Sequence, residues 1–381
     1  MTTHPIQYNA PWFRLLNAKS DIDVHVFYTW HIGNEEKPDA GFGNSVSWDI
    51  PLLDGYDYEL VPPSTNVQHR SYRNMDSPGL TEKIEAWNPD AVLVIGYNFR
   101  SHFRTMRYFK GKVPMWFRGD STLLNESFGV RKFLRRRALK YVYRCVDLAL
   151  AVGTNNRNYF IKHGLGSNQI THVPHAIDNE RFGDRTHEDI ATVRRAELGF
   201  SDRDVVLLFA GKLEEKKAPT DLAQAFLIAA RTRPELKLLF VGSGPLESNI
   251  RSIIGDNCHV RFLPFQNQTQ MPVAYRIGDI TCLPSIYNET WGLCLNESMA
   301  CRRPIMASDR VGAAADLVCR ESGYSFRAGD IKQLSQVISD LPNRNALLTM
   351  GENCGKAIQN WSMEKIVEPI ANQLRILKAQ S

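Results

Sequence analysis

Short apolar runs alternate with amphipathic stretches along most of the chain. Several runs in the first half are apolar throughout, which is typical of strands buried on both faces of a parallel sheet. The first-half pattern predicts strands at IDVHVFYTW, YDYELV, DAVLVIG, VPMWFRG and VDLALAVG. Helical periodicity between these runs predicts helices at PGLTEKIEAWN and RKFLRRRALKYVYRC.

The same alternation returns in the second half of the chain. The predicted strands there are DVVLLFAGK, LKLLFVGSG, HVRFLPF, DITCLPS and RPIMASD, and the helices between them include APTDLAQAFLIAART and GLCLNESMACR. A chain of 381 residues is too long for one ordinary core and suits two domains. Strand–helix alternation that occurs twice therefore predicts an α/β protein of two doubly wound domains.

A break in the apolar pattern around residues 174–203 separates the two predicted domains. We expect an N-terminal domain over 1–180 and a C-terminal domain over 200–360. The final stretch, 362–381, has helical periodicity and begins with a capping serine. Because no strand follows this helix, it is free to pack against another part of the protein.

The beginning of the chain is short for a doubly wound domain, whose first strand runs through the centre of the sheet. Only three residues precede the pair His4-Pro5, and a helix is expected to begin near Pro11. Three residues at ~3.3 Å each cannot cross a sheet. We therefore expect either that the recorded start lies inside the gene's true reading frame or that the first strand is a stub.

Composition adds mainly exclusions. Hydrophobic residues make up 43% of the chain and charged residues 23%, which is ordinary for a soluble protein, and the net charge of +5 is too small to indicate nucleic-acid binding. Neither a run of ~18 apolar residues nor a signal peptide is present, so we expect a cytoplasmic protein. The seven scattered cysteines include no C-x-x-C pair, which favours reduced thiols over disulfides or a zinc site.

Two glutamates lie on either side of a glycine in NETWGLCLNES, residues 288–298. In one continuous helix Glu289 and Glu297 would lie ~12 Å apart along the axis, too far to share a small ligand. A helix that begins near Gly292 would leave Glu289 on the preceding loop and place Glu297 on its second turn. The N–H groups of Gly292 and Leu293 would then be able to bind an anion. The alternative interpretation is two solvated acids that flank a helix start.

Two lysines follow the predicted strand that ends at Ala210, in the stretch AGKLEEKKAP. Lys212 lies at the strand end, and Lys217 lies just before a helix expected to start at 218–219. Free N–H groups, the helix dipole and two ammonium groups would together attract an anion. The alternative is a solvated charged loop, since two glutamates lie between the lysines.

Two further strand ends carry weaker candidates. VGSGPLE provides Gly242 and Gly244, but Glu247 stands where a dinucleotide fingerprint needs its third glycine. A tight turn therefore explains these glycines as well as a close approach to a ligand does. WFRGDS places Arg118 and Asp120 where they would face a cleft from the first domain, with a structural Arg–Asp pair as the commoner explanation.

One predicted helix is strongly basic. Residues 131–144, RKFLRRRALKYVYR, contain seven basic and no acidic residues. We expect the apolar residues at helical spacing to form a core face, which leaves a cationic face outward. Those apolar residues are Val130, Phe133, Leu134, Ala138, Tyr141, Val142 and Cys145. Such a helix can lie on an anionic membrane, although a solvated face is the commoner meaning.

These motifs together resemble the family-4 retaining glycosyltransferases, which have the GT-B fold of two Rossmann-like domains facing across a cleft. PSIYNETWGLCLNESMACRRPIMASDRVGAAADLV resembles the family signature, in which P-S precedes E-x7-E around an aromatic-Gly-Leu core. GKLEEKKA resembles G-[RK]-L-x3-K-G, with Ala218 in place of the last glycine. VPHAIDNERF resembles the interdomain segment, and NWSMEK resembles the segment where the C-terminal helix crosses back to the first domain.

The resemblance implies a role for each matching position. Glu289 would contact the donor sugar, and Glu297 would hold the ribose hydroxyls of the nucleotide. Lys212 and Lys217 would clamp the diphosphate, and with Glu289 they form the expected catalytic set. The other expected donor-binding residues are Gly292 and Leu293, whose backbone would contact the phosphates, together with Gly242 and Phe265.

The first domain departs from the family pattern. The family usually has a glycine-rich loop after its first strand, whereas this chain has THPIQYNAP, in which His4 and Gln7 would have to supply side-chain donors. The family also often carries a histidine after the strand that here ends in WFRGDS, where Arg118 or Asp120 would replace it. We expect these four residues on the acceptor side.

The resemblance implies transfer of a sugar from a UDP- or GDP-sugar to an acceptor hydroxyl with retention, in the synthesis of a cell-surface polysaccharide or glycolipid. It implies no metal and no other cofactor, and the D-x-D pairs at 21–23 and 202–204 lie at predicted strand starts, away from the cleft. The expected acceptor is a saccharide or a lipid-linked saccharide, and 131–144 would allow peripheral contact with the inner face of a membrane. The alternatives are a nucleotide-sugar epimerase or hydrolase of the same fold and a non-catalytic sugar-nucleotide-binding module.

Overall fold

The computed structural model describes residues 1–32, 38–39, 44–45, 48–64, 71–124, 126 and 129–380. Its strands are β1 (His25–Tyr28), β2 (Pro38–Asp39), β3 (Asn44–Ser45), β4 (Asp57–Leu60), β5 (Val92–Ile95), β6 (Met115–Gly119), β7 (Leu148–Ala151), β8 (Ile170–His172), β9 (Val205–Ala210), β10 (Leu236–Val241), β11 (Val260–Leu263), β12 (Ile280–Leu283), β13 (Ile305–Ser308) and β14 (Gly323–Phe326). Its helices are α1 (Ala10–Asn17), α2 (Leu80–Trp87), α3 (Arg100–Phe109), α4 (Val130–Tyr143), α5 (Thr154–Lys162), α6 (Asn179–Gly183), α7 (His187–Glu197), α8 (Pro219–Ala229), α9 (Glu247–Ile254), α10 (Met271–Ile277), α11 (Cys294–Ala300), α12 (Ala314–Leu317), α13 (Ile331–Ser339), α14 (Arg344–Ala357) and α15 (Met363–Gln380).

The chain divides into two compact units. The first unit consists of Met1–Glu36, Pro51–His175 and Met363–Ser381, and the second consists of Lys37–Ile50 and Ala176–Ser362. The division after position 175 lies within the break in apolar pattern, and α15 belongs to the first unit.

One stretch groups differently from the expected domain 1–180. Residues 37–50 belong to the second unit. Within that unit the carboxylate of Asp49 accepts a hydrogen bond from the backbone N–H of Thr269 at 3.2 Å. The apolar pattern held no sign of this contact, because it depends on one polar side chain reaching a residue far along the chain.

The second unit contains a six-stranded parallel sheet in the order β11-β10-β9-β12-β13-β14. All six residues of β9, VVLLFA, are buried, as a strand covered by helices on both faces requires. The strand order reverses between the neighbouring strands β9 and β12, and ligands of such sheets bind beyond the carboxyl ends of the strands at this switch point. The predicted doubly wound α/β fold of this unit is confirmed.

A buried carboxylate lies at the amino edge of this sheet and pairs with two arginines. Asp279 is fully buried and accepts a hydrogen bond from the N–H of Val206 at 2.8 Å. Arg195 and Arg344 lie 3.0 and 3.1 Å from its two oxygens. Because an unpaired buried charge costs about 3–5 kcal/mol, this cluster holds α7 and α14 against the amino edge of the sheet.

The first unit contains a parallel β1–β4 pair and a four-stranded parallel sheet in the order β5-β6-β7-β8. A single bridge joins Thr2 to Tyr28 at the end of β1, and the carbonyl of Met1 accepts from Ile95 N–H at 3.1 Å. The first three residues thus lie between β1 and β5, in the place of a central strand.

Helix α15 packs against α1 within the first unit. Arg375 contributes to this contact region by pairing with Asp21 at 2.8 Å. In the described part of the chain, no helix combines the length and the hydrophobicity needed to cross a membrane.

The predicted packing of the basic helix α4 is wrong for most of its apolar residues. The side that packs is centred on Leu139 and Tyr143, which are buried. Five of the residues expected in the core are exposed instead: Val130, Phe133, Leu134, Ala138 and Tyr141. Of the other two, Val142 is half-buried and Cys145 is buried.

Candidate active site

The loop between β12 and α11 lies at the carboxyl edge of the second unit's sheet and carries Glu289. Its backbone is fixed by pairing with a neighbouring loop: Gly312 N–H donates to Glu289 O at 3.0 Å, and Ala313 N–H donates to Trp291 O at 2.9 Å. A Cβ at position 312 would lie 1.8 Å from the Thr290 carbonyl oxygen, so only glycine permits this approach. Glu289 is therefore placed by rigid backbone.

Gly292 allows this loop to turn into α11. Its φ is +100°, and an added Cβ would lie 2.6 Å from a methyl carbon of Leu283. The helix begins at Cys294, two positions later than the predicted start near Gly292. Among the described residues, no hydrogen-bond acceptor is found for the N–H groups of Gly292 and Leu293. Anion binding by these two groups stays a prediction.

Glu289 is held by two side chains. The Lys217 ammonium lies 2.8 Å from Oε2 of Glu289, and the hydroxyl of Ser285 donates to the same oxygen at 3.1 Å. Lys217 and Glu289 expose only 15% and 14% of their side chains. Burial alone lowers the pKa of Lys217, but Glu289, with Cys294 and Glu214 adding to its effect, outweighs burial, so the pKa is raised. The ammonium group therefore remains charged over the neutral pH range.

A short turn delivers Lys217 to this position. Glu215–Lys217 form a single 3-10 turn, which ends at Ala218 in the left-handed conformation with φ +46°. This is the position where the resembling family has glycine, and the alanine adopts the conformation that glycine prefers. Lys212 follows Gly211 at the end of β9 and is half-buried. The role of Lys212 as part of a diphosphate clamp stays a prediction.

Glu297 lies on α11 and is buried. The hydroxyl of Tyr275, on α10, donates to Oε2 of Glu297 at 2.6 Å. Tyr275 itself is fully buried, so its phenol is fixed by packing. The pair gives the Glu297 carboxylate one defined orientation.

Cys294 is an additional side chain in this region. Burial, with Glu289 and Glu297 adding to it against the opposing effect of Lys217, raises the pKa of the thiol to about 12. The thiol therefore stays neutral at neutral pH. Since the thiolate is the reactive form of cysteine, this raised pKa disfavours reactivity at Cys294.

Two predicted donor-binding residues, Gly242 and Phe265, have contacts within the second unit. Gly242 follows β10 with φ +128°, and a Cβ there would lie 2.2 Å from the carbonyl oxygen of Gly211. Close packing of two backbone turns therefore suffices to require this glycine. Phe265 follows β11, and its ring centroid lies 6.4 Å from that of Trp48. Donor binding by either residue stays a prediction.

The first unit places His4 and Gln7 directly after the first three residues. Nδ1 of His4 lies 2.8 Å from the Thr3 hydroxyl, and its ring lies edge-on to Trp30 at 5.4 Å. Gln7 is buried. A second imidazole, that of His31, lies 5.0 Å from His4. The acceptor-side roles of His4 and Gln7 stay predictions.

Arg118, at the end of β6, is buried and holds backbone. Its guanidinium donates to the carbonyls of Val173 and Pro174 at 2.7 and 2.9 Å. Burial, opposed by the nearby Asp120, lowers the pKa of Arg118 to about 10. These contacts favour the structural interpretation of the Arg–Asp pair, and contact of either residue with an acceptor stays a prediction.

Two histidines that the sequence analysis did not select lie in the first unit. Burial lowers the pKa of His102 to about 4, and its ring bonds the Gly96 carbonyl at 2.9 Å and the Thr29 hydroxyl at 3.0 Å. Burial and the charge of Arg118 lower the pKa of His175 to about 3. Both imidazoles are neutral at neutral pH. The segment VPHAIDNERF, which was quoted for the family resemblance, contains His175 and could have directed attention to it. No sequence pattern indicated His102.

Ser285 and Tyr275 were also missed. Ser285 occurs in the quoted P-S pair, so the signature contained it without indicating its contact with Glu289. Tyr275 lies on a separate helix, and no spacing rule relates it to Glu297.

Residues 191–361 match the family model described as Glycosyl transferases group 1. Among curated relatives, a GDP-mannose-dependent monoacylated alpha-(1-6)-phosphatidylinositol monomannoside mannosyltransferase from Corynebacterium glutamicum is 28% identical over 251 residues, covering 63% of this chain and 65% of the relative. A D-inositol 3-phosphate glycosyltransferase from Rhodococcus jostii is 29% identical over 247 residues, covering 60% of this chain and 52% of the relative. The chain thus spans between half and two thirds of the length of these relatives.

Among solved structures, Anabaena HepE in complex with UDP aligns over 98% of both chains with a TM-score of 0.72 and 17% identity. At this identity the likeness shows a common fold, and the predicted GT-B fold class is confirmed. The predicted resemblance to group 1 glycosyltransferases is confirmed for 191–361, while the narrower assignment to family 4 stays a prediction.

Proposed function

Because residues 191–361 belong to the group 1 glycosyl transferases, we propose that this protein transfers a sugar from a nucleotide diphosphate sugar to an acceptor hydroxyl with retention of configuration. The observation that carries the proposal is the Lys217–Glu289 pair at 2.8 Å, set beside two backbone N–H groups at a sheet's carboxyl edge. A cation, a carboxylate and free amides in one place suit a ligand that carries both phosphates and hydroxyls.

In the proposed reaction the bond from the anomeric carbon to the diphosphate breaks, and a bond to the acceptor oxygen forms on the same face. The departing phosphate takes the acceptor's proton, so no protein nucleophile is needed. Lys217 and the N–H groups of Gly292 and Leu293 stabilise the negative charge that develops on the leaving group. Lys212 joins this clamp, and Glu289 binds hydroxyls of the donor sugar.

Glu297 is proposed to hold the ribose hydroxyls of the nucleotide. The hydrogen bond from Tyr275 orients the Glu297 carboxylate before the ligand arrives. Such preorganisation reduces the ordering cost of binding.

We propose that the reaction needs no metal. Three acids of the D-x-D pairs are already engaged in ion pairs: Asp21 with Arg375, Asp202 with Arg344, and Asp204 with Lys237. A metal-dependent site would need these carboxylates directed together at one cation. Their separate partners support a metal-independent reaction.

The proposed acceptor is a saccharide or a lipid-linked saccharide, in the synthesis of a cell-surface polysaccharide or glycolipid on the cytoplasmic side of a membrane. The name of the Corynebacterium glutamicum relative describes an acylated acceptor for that protein, which supports a lipid-linked acceptor here.

The test begins with melting temperatures of the protein in the presence of UDP-sugars, GDP-sugars and NAD. A donor at 100 times its dissociation constant adds about 2.7 kcal/mol to the stability of the folded state. We expect one class of nucleotide sugar to raise the melting temperature and NAD to have no effect. Absence of stabilisation by every nucleotide sugar would contradict the proposal.

The second step incubates the protein with the stabilising donor, alone and with saccharide acceptors, and follows free nucleotide and product by NMR. We expect nucleotide release that depends on the acceptor and a product that keeps the donor's anomeric configuration. Full turnover of donor alone would indicate the epimerase or hydrolase alternative, and binding without turnover would indicate a non-catalytic module.

A further inference from the structure

The outward side of α4 carries an apolar stripe. Val130, Phe133, Leu134 and Tyr141 are separated by three, one and seven positions, which places them on one face of a helix with 3.6 residues per turn. Their exposed fractions are 75%, 57%, 60% and 51%. Four large apolar side chains on one face of the helix are thus exposed to solvent, and a cluster of this kind marks an interaction surface more often than isolated exposed residues do.

This stripe is not the packing side of the helix. Leu139 and Tyr143, on the opposite side, are 4% and 2% exposed and belong to the first unit's core. The helix is already anchored by that side, and of the stripe it is Tyr141 that also contacts another helix of the first unit, with its ring centroid 6.1 Å from that of Phe103.

Exposed basic residues border the apolar stripe. Arg137, Lys140 and Arg144 are exposed, and the helical spacing places Arg137 and Arg144 within the stripe and Lys140 along one side of it. The Arg137 guanidinium lies 5.3 Å from the centre of the Phe133 ring. No acidic residue occurs between positions 131 and 144. Apolar side chains bordered by cations alone match a surface that is apolar beneath and anionic at its rim.

Helix α7 provides an internal contrast. It also exposes two large apolar residues one turn apart, Ile190 and Val193, at 51% and 58%. Its first turn carries Glu188 and Asp189, which an anionic surface would repel. Exposed apolar residues occur on both helices, but only α4 combines them with purely cationic neighbours.

We propose that α4 docks the protein on a bilayer that contains anionic lipids, with Phe133 and Leu134 entering the headgroup–acyl boundary and Arg137, Lys140 and Arg144 contacting lipid phosphates. The helix lies in the plane of the interface, held by the core contacts of its other side. This docking is independent of the transferase reaction and can be measured without a donor or an acceptor.

The experiment uses flotation of the full chain with vesicles of phosphatidylglycerol and phosphatidylcholine, and with vesicles of phosphatidylcholine alone. We expect binding to the anionic vesicles that declines as salt is raised, because charge screening weakens the lipid phosphate contacts. The double variant Phe133→Ser/Leu134→Ser should bind more than about tenfold more weakly, since two apolar side chains no longer leave water. Its melting temperature should not change, because both side chains are more than half exposed.

The matched controls lie elsewhere on the chain. Ile190→Ser/Val193→Ser removes the same kind of exposed apolar surface and should bind vesicles like the wild type. Arg137→Glu/Lys140→Glu should abolish binding, whereas Arg231→Glu/Lys356→Glu, the same charge change on other exposed positions, should reduce it much less. Equal binding to phosphatidylcholine alone, or full binding by the Phe133→Ser/Leu134→Ser variant, would overturn the proposal. So would a concentration-dependent dimer that this variant abolishes, which would show a second copy covering the stripe.

Discussion

At the carboxyl edge of the second unit's sheet, the side chains of Lys217 and Ser285 both donate hydrogen bonds to the carboxylate of Glu289. At the carboxyl edge of the first unit's sheet, Arg118 donates to two backbone carbonyls. Lys217 follows a parallel strand and Arg118 lies near the end of one, and both are largely removed from water. The first arrangement leaves charged and polar groups oriented toward the sheet edge, whereas the second uses its charge to hold the chain after β8.

The difference shows that a charged residue at a strand end has two uses, which the partner atoms distinguish. A carboxylate partner can exchange for a ligand anion without loss of the fold, because both groups are carried by fixed backbone. Backbone carbonyls cannot be released without local unfolding, because each would then be buried without a donor. Mutations in the two regions should therefore separate activity from stability.

The largest expected effect is on turnover in the second unit. Lys217→Ala should reduce kcat/KM by the equivalent of about 2–5 kcal/mol, because removing one member of a buried charge pair leaves Glu289 unneutralised and the leaving phosphate without its cation. Lys216→Ala is the matched control, since Lys216 is adjacent and pairs with Glu214 at 3.3 Å. Steady-state rates with saturating acceptor measure both. Near-wild-type turnover of Lys217→Ala would contradict the clamp.

Arg118 should affect stability where Lys217 affects turnover. Arg118→Ala removes two charge-assisted hydrogen bonds to buried carbonyls and should lower the free energy of unfolding by about 3 kcal/mol, measured by urea denaturation. Arg100→Ala, which removes an exposed pair with Asp76 at 3.4 Å, should cost less than about 1 kcal/mol. Unchanged stability of Arg118→Ala together with a raised acceptor KM would restore the acceptor-side role predicted from the sequence.

The smallest expected effect concerns orientation within the donor site. Tyr275→Phe should raise the KM for the donor by about tenfold with a smaller change in kcat, because one hydrogen bond to a charged group contributes about 1.5–3 kcal/mol. Tyr324→Phe, a substitution of a half-buried tyrosine in the same unit, should leave KM unchanged. A positioning role also requires that Tyr275→Phe have little further effect in a Glu297→Gln background. Additive effects in that double variant would assign Tyr275 a role separate from Glu297.

The second unit was the more predictable of the two. Its strands are apolar throughout, so their existence and order could be inferred from the pattern, and Gly292 marked the loop-to-helix junction. The helix start was wrong by two positions, because Gly292 and Leu293 continue the loop before α11 begins. The contact between Lys217 and Glu289 could be expected only through the family resemblance, since 72 positions separate them.

The first unit was less predictable for a physical reason. Thr2 forms an isolated bridge to Tyr28 where a full strand was expected, and α4 has apolar residues on two sides. Periodicity identifies an apolar stripe but does not say whether protein covers it. The stripe of Phe133 and Leu134 was therefore predicted as core, whereas the structure buries Leu139 and Tyr143.

The sequence by itself determined the alternation of buried strands and helices, because burial on both faces requires apolar residues throughout each strand. It also determined where the loop turns into α11, because the backbone conformation at position 292, with φ +100°, favours glycine. Only the tertiary structure decided which polar side chains meet, such as Tyr275 with Glu297, and which helix face stays in solvent. These depend on distances between elements far apart in sequence, and no local pattern encodes such distances.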